Sequence, residues 1–205
     1  MARRSRPITL TPCPTNAPLV CNSKMGGKRS YSISPAIFQE PTVHPIFEPV
    51  TGTFQYVVAD PSTRVAVIID PVLNYDPITQ AITTSSADSL LSLATERGYR
   101  IDWILETHAH ADHLTAASYL QKQLEQQQGH RPAIGIGKRI GLVQERFAER
   151  YSVPKEECKC AFDELFEDDE VFTIGSLEAK ALHLPGHTPD HLGYMIGSKP
   201  SPTCA

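Results

Sequence analysis

No aspartate or glutamate occurs before Glu40. Nor does any apolar run approach the ~20 residues that a helix needs to span a bilayer, so no membrane span is read from the sequence. Cysteine is scarce. The five present are an odd number at spacings that make no disulfide framework, which points to a reducing compartment. Cys158 and Cys160 form a C-x-C pair, read as small residues near a helix end, with a metal or redox role as the alternative.

Acid is what the rest of the chain has in excess. Six of the 19 basic residues (Arg3, Arg4, Arg6, Lys24, Lys28 and Arg29) precede position 40, leaving 13 basic against 23 acidic, a balance of −10. Such a surface repels phosphate, which argues against nucleic acid as a partner. The 205 residues suffice for one domain with a buried core, and 40% hydrophobic with 20% charged residues fits a soluble globular composition.

Residues 1–39, rich in arginine and hydroxylated side chains and free of acid, have the composition of a mitochondrial transit peptide; a disordered basic tail is the alternative. "GKRSYSIS" resembles a mitochondrial processing pattern that cuts after Tyr31. Residues 1–45 are therefore expected to be a transit peptide and linker, with the matrix as destination.

The folded part is expected from about Ile46. "TFQYVVAD" and "RVAVIID" flank a Pro-Ser-Thr turn and read as a strand pair. "SSADSLLSLATERG" has a Ser/Asp start, apolar Leu90, Leu91 and Ala94, and a glycine stop, the signature of an amphipathic helix. "RIDWILET" reads as a strand buried on both faces. "LTAASYLQKQLEQQQG" reads as a second helix, "PAIGIG" as a strand and 139–151 as a third helix. "EVFTIG", "LEAKALHLP" and "LGYMIG" follow as strands. Helices alternating with strands, then a run of strands, predict helices packed on a mixed sheet.

Six of the eight histidines lie in two short stretches, "THAHADH" at 107–113 and "HLPGHTPDH" at 183–191. Crowding imidazoles costs desolvation and repulsion, which a metal ion offsets; neutral imidazole suits zinc and iron, and carboxylate adds charge to hold a divalent ion. The first stretch follows the end of a buried strand, a common ligand position in α/β layers. In extended backbone His108, His110 and Asp112 share one face, while His113 swings toward a neighbouring point as the next helix begins. His187 stands in a Pro-Gly…Thr-Pro turn that fixes its backbone. His183 reads as structural and His191 is left open.

"ETHAHADHLTAA" and "LPGHTPDHLGYMIG", preceded by "VAVIIDPV", resemble the metallo-β-lactamase superfamily, in its persulfide dioxygenase and β-lactamase-like hydrolase branch related to glyoxalase II. The resemblance runs from about Ile46 to Gly197. It implies an α+β fold, the αββα sandwich, with metal at one edge of the facing sheets. In the family's two-metal hydrolases, His108, His110 and His187 would hold one ion and Asp112 and His113 would serve the second. In its persulfide dioxygenases one iron(II) is held by the histidines matching His108 and His187 and by an aspartate, with His110, Asp112 and His113 orienting the ligands. Asp112 is thus a candidate catalytic group as well as a ligand, and Asp70 would orient a histidine.

The family pattern continues beyond "YMIG" into a strand ending in Gly-Asp, whose aspartate is a ligand; "SKPSPTCA" does not match it. The expectation is therefore a domain over 46–198, incomplete at its C-terminus, with a tail at 199–205 outside the pattern. The leading function is oxidation of glutathione persulfide by O2 to sulfite and glutathione with Fe(II). A glyoxalase II-like thioester hydrolase using one or two zinc ions is the second reading, and an inactive fragment the third.

Overall fold

The computed structural model describes residues 40–154 and 161–197. The basic segment 1–39, the cysteines and the tail 199–205 lie outside the described residues, and so do the expectations placed on them. In chain order the first elements are β1 (Thr42–Glu48), β2 (Thr53–Ala59), β3 (Val65–Ile69), β4 (Val72–Tyr75), β5 (Ile82–Thr83), α1 (Ser85–Arg97) and β6 (Arg100–Leu105). There follow β7 (Leu114–Thr115), α2 (Ala117–Gln128), β8 (Ala133–Gly137), α3 (Ile140–Tyr151), β9 (Glu164–Phe166), β10 (Val171–Ile174), β11 (Leu177–His183) and β12 (Leu192–Ile196).

The larger sheet has the order β1-β2-β3-β6-β8-β9. Its first three strands are antiparallel neighbours, and β3, β6, β8 and β9 run parallel. Strands β10-β11-β12 make an antiparallel second sheet, and β5-β4-β7 a small third one.

Side-chain alternation divides the large sheet into two buried faces. Val57, Ala59, Ala66 and Ile68 face Ala87, Leu90, Leu91 and Ala94 of α1 and Leu120 and Leu124 of α2. Val58, Val67 and Ile69 face Ile174, Ala179, Ala181 and Leu192 of the second sheet. Helix, sheet and sheet are thus stacked in the order of the expected sandwich. In β6, Ile101 and Ile104 both face the helices although three positions apart. A register irregularity opposite Ala66/Val67 resolves this, since Ala66 pairs Ile101 but Val67 pairs Trp103. The extra residue, Asp102, flips the parity, so one strand serves both cores.

Helix α1 starts as anticipated, with Thr84 donating to Asp88 Oδ2 at 2.7 Å, and α1 and α2 end at Gly98 and Gly129 in left-handed conformation. Two expectations are corrected. The sheet begins at Thr42 rather than near Ile46. Leu114 and Thr115 do not open α2 but pair with Leu73 and Val72, tying the histidine-rich loop to β4. Among the described residues no helix is long and apolar enough to cross a membrane.

Candidate metal centre

Parallel strands β3 and β6 end side by side, and their carboxyl ends carry the site. At the end of β3, Asp70 adopts a left-handed φ of 50°, with its N–H donating to Leu105 O at 2.9 Å. Its carboxylate accepts from Thr107 N at 2.7 Å and Thr107 Oγ1 at 2.8 Å. Residues 107–113 form a bent loop, not a strand.

The loop from β11 closes on it. Leu192 N donates to Thr107 O at 2.7 Å, and Ala109 N donates to Asp190 Oδ2 at 3.1 Å. These bonds join the two histidine stretches across the gap between sheets. The His108 ring lies 4.1 Å from His110, 4.8 Å from His187 and 4.9 Å from His191, centroid to centroid, and His110 lies 4.2 Å from His113. Five imidazoles therefore share one site, among them all four histidines expected there. His191, left open by the sequence, joins them. His183 stays outside, with Nε2 on Pro189 O at 3.1 Å.

Asp112 departs from the expected parity. Its side chain is 64% exposed, with Oδ2 at 3.4 Å from His113 Nδ1. The bends in the loop break the alternation of an extended segment, turning Asp112 outward and His113 in beside His110. Even so, donor atoms of His110, Asp112 and His113 all lie within 4.8 Å of one another. A cavity of about 560 Å³ opens beside Asp112 and His113, walled by Val50, Tyr75, Pro77 and Leu114.

Hydrogen bonding fixes which nitrogen each histidine offers. The single Thr107 hydroxyl proton goes to Asp70, so His108 Nδ1–H donates to Thr107 Oγ1 at 2.8 Å and Nε2 is left as the acceptor. His110 Nε2 faces Asp70 Oδ1 at 3.2 Å and Glu106 Oε2 at 3.5 Å, leaving Nδ1. His113 Nδ1 faces Asp112 and Thr53 Oγ1, the latter at 3.4 Å, leaving Nε2 buried with no hydrogen-bond partner. One nitrogen anchored and the other free is the usual state of a metal-ligating histidine. The residues fit a divalent ion on this evidence.

The local charges favour a cation. Burial, together with the charge of His110, lowers the His108 pKa to about 4, so this imidazole is neutral at physiological pH. Burial also opposes charging of His110, but the Asp70 and Glu106 carboxylates outweigh it and raise its pKa to about 10. Glu106 is pushed up to about 7 by burial. It accepts from the Thr115 hydroxyl, while its Oε2 lies 3.5 Å from His110 Nε2 and has no other partner among the described residues. The pocket holds positive charge at His110, and an ion at Nδ1 would take the place of that proton.

A model of the metallo-beta-lactamase superfamily matches residues 49–199. The chain belongs to that superfamily. A beta-lactamase hydrolase-like protein of Xylella fastidiosa is 40% identical over 160 residues, 78% of this chain. The chain spans only 36% of that relative's length. The human mitochondrial persulfide dioxygenase ETHE1 is 39% identical over 79 residues, 38% of this chain and 27% of its own. Among solved structures, ETHE1 from Myxococcus xanthus shares the metallo-beta-lactamase fold, with a TM-score of 0.55 at 22% identity over 76% of this chain and 53% of its own.

Sequence reasoning missed Glu106, and named Asp190 only as a carboxylate near His187 that could stand in for the family's missing aspartate. Glu106 sits between buried Leu105 and the motif, where a strand that apolar has no ordinary place for a carboxylate. Asp190 is fully buried, its Oδ1 without a hydrogen-bond partner.

Proposed function

We propose that this superfamily member is a metal-dependent enzyme acting on a small thiol-derived substrate, with persulfide oxidation as its chemistry. One observation carries the metal dependence: His108 and His187, from opposite sheets, face each other edge-on with ring centres 4.8 Å apart. In this reading they would hold one iron(II) ion, which when bound would supply the oxygen-activating chemistry for the substrate sulfur. The chain's own groups do the rest. Thr107 fixes the His108 tautomer, Asp70 holds Thr107 and His110, and the Asp112 carboxylate lines the cavity beside His113. The substrate of this reading is glutathione persulfide, which with O2 and one water yields sulfite, glutathione and two protons. The partial relationship to persulfide dioxygenase supports it. The basic, acid-free segment 1–39 supports a mitochondrial matrix location.

A glyoxalase II-like thioester hydrolase is the second reading, favoured by the convergence of His110, Asp112 and His113 as a further ligand set. Zinc, as one or two ions, is its metal, and a metal-activated water its nucleophile. Elemental analysis of the purified chain separates the two. One iron per chain with persulfide-dependent oxygen uptake supports the first. Two ions with thioester hydrolysis and no oxygen uptake supports the second, and no bound metal overturns both.

A further inference from the structure

Neither reading assigns a part of the substrate to the cavity beside His113. Its apolar walls come from separate segments, and each is pinned by bonds of its own. At the β1–β2 turn the buried Glu48 carboxylate accepts from Val50 N at 3.1 Å, Thr51 N at 2.7 Å and Thr51 Oγ1 at 2.6 Å. It also accepts from Asn74 Nδ2 at 3.3 Å, which ties the turn to the strand that carries Tyr75. Asp76 Oδ1 accepts from Ile78 N at 2.8 Å and Thr79 N at 3.3 Å, fixing the turn that holds Pro77. Leu114 is placed by its pairing with Leu73. The cavity is therefore preformed.

What these walls present is apolar. Val50 is 70% exposed, and Tyr75 and Leu114 also show much of their side chains to solvent. Apolar side chains held open around a concave space of about 560 Å³ mark a ligand site rather than scattered surface exposure. Asp112 supplies a carboxylate to the lining, and among the described residues that line it there is no lysine or arginine. A substituent bearing a carboxylate would lose hydration here and meet Asp112 with no cation to pair with it. An uncharged apolar substituent would release water from the walls at no electrostatic cost.

We propose that this cavity is a subsite for an uncharged apolar group on the substrate sulfur, which adds apolar alkyl and aryl persulfides to the substrates of the site. The proposal rests on the persulfide reading above and names a further substrate class for it. With the apolar group R against Val50 and Leu114, the sulfur it carries lies on the side of His113, toward the other imidazoles. The balance is that of the parent reaction: RSSH, O2 and one water yield RSH, sulfite and two protons. The sulfur–sulfur bond breaks, the outer sulfur is oxidised, O2 is reduced, and the inner sulfur leaves as the thiol. Glutathione, whose carboxylates find no cation in this lining, would keep them outside the cavity.

Ligand-observed NMR on the full-length chain measures the subsite directly, with benzyl mercaptan, thioglycolate and cysteamine as neutral, anionic and cationic probes. Benzyl mercaptan is expected to bind roughly tenfold more tightly than thioglycolate. Val50→Lys, at an exposed turn position, is expected to cut the benzyl mercaptan affinity about tenfold with an unchanged circular dichroism spectrum. Leu142→Lys, exposed on α3, is the control for non-specific adhesion and should leave that affinity at the wild-type value. Equal or tighter binding of thioglycolate overturns the proposal, as does an unaffected Val50→Lys. Tighter binding of cysteamine also overturns it, because Asp112 rather than the apolar walls would then select the ligand. Oxygen uptake by the iron-loaded chain with benzyl persulfide and with glutathione persulfide separates the proposal from the reading beneath it. Turnover of both supports the further substrate class, and turnover of glutathione persulfide alone overturns it. Turnover of neither, with the binding preference intact, overturns the persulfide reading and leaves the apolar subsite supported.

Discussion

Asp70 holds His110 from the end of the neighbouring strand, its Oδ1 at 3.2 Å from His110 Nε2. The same carboxylate receives Thr107 through both backbone and hydroxyl, and Thr107 in turn sets the His108 tautomer. One side chain thereby orients two imidazoles. Asp70→Asn keeps the size but weakens acceptance from His110, and is expected to lower metal affinity roughly 10- to 100-fold. Metal retained after dialysis against a graded chelator measures this, with an unchanged circular dichroism spectrum showing that the fold survives.

Removing the imidazoles singly discriminates between one ion and two. His108→Ala and His187→Ala are each expected to abolish iron loading. His110→Ala should leave measurable iron if a single ion sits between His108 and His187. Complete loss in His110→Ala, measured by elemental analysis, would favour the two-ion hydrolase.

Away from the site, Asp60 clamps the two sheets. Its carboxylate accepts from Ser62 N and Oγ, Thr63 Oγ1, and Ser176 N and Oγ. Burial opposes ionisation, yet these donors hold its pKa well below the ordinary carboxylate value. With the folded pKa depressed, the unfolded chain binds the proton first. The clamp's contribution is thus full above the ordinary carboxylate range and is lost progressively as pH falls from that range down through the depressed folded value. Asp60→Asn is expected to cost roughly 1.5–3 kcal/mol at neutral pH and to flatten the acid limb of stability against pH in urea unfolding.

Gly175 lies under that clamp at φ 59°, where a Cβ would come within 2.1 Å of Thr63 Oγ1 and 2.6 Å of Asp60 Oδ2. Gly175→Ala combines left-handed strain with overpacking, and an expected loss of about 3 kcal/mol follows. Thermal unfolding of the variant beside Asp60→Asn checks it. The two effects should be less than additive, because both act on one cluster of hydroxyls.

The processing expectation is checked by mass spectrometry of protein recovered from mitochondria, which should begin at Ser32. Intact Met1 on protein in the cytosol would contradict it.

The long elements were legible because their periodicity is local: Leu90, Leu91 and Ala94 with Gly98 describe α1 without reference to the rest of the chain. β7 was not, because two residues carry no period, and Leu114–Thr115 becomes a strand only by meeting β4. The histidine stretches announced a metal site through composition alone. Which nitrogen each offers depends on Thr107, Asp70 and Glu106, whose approach is a product of β3 and β6 ending together. Asp112 turned outward because loop bends override the alternation a strand would impose.

The backbone bond from Leu192 to Thr107 and the Asp190 bond to Ala109 make the site a seam between two sheets. An ion held by His108 on one side and His187 on the other would bind only when that seam is closed. At a free concentration of one thousand times its Kd, such an ion adds about 4 kcal/mol to the closed state. Metal supply would then set how long the chain survives proteolysis, and cells starved of the ion would lose the protein as well as its activity.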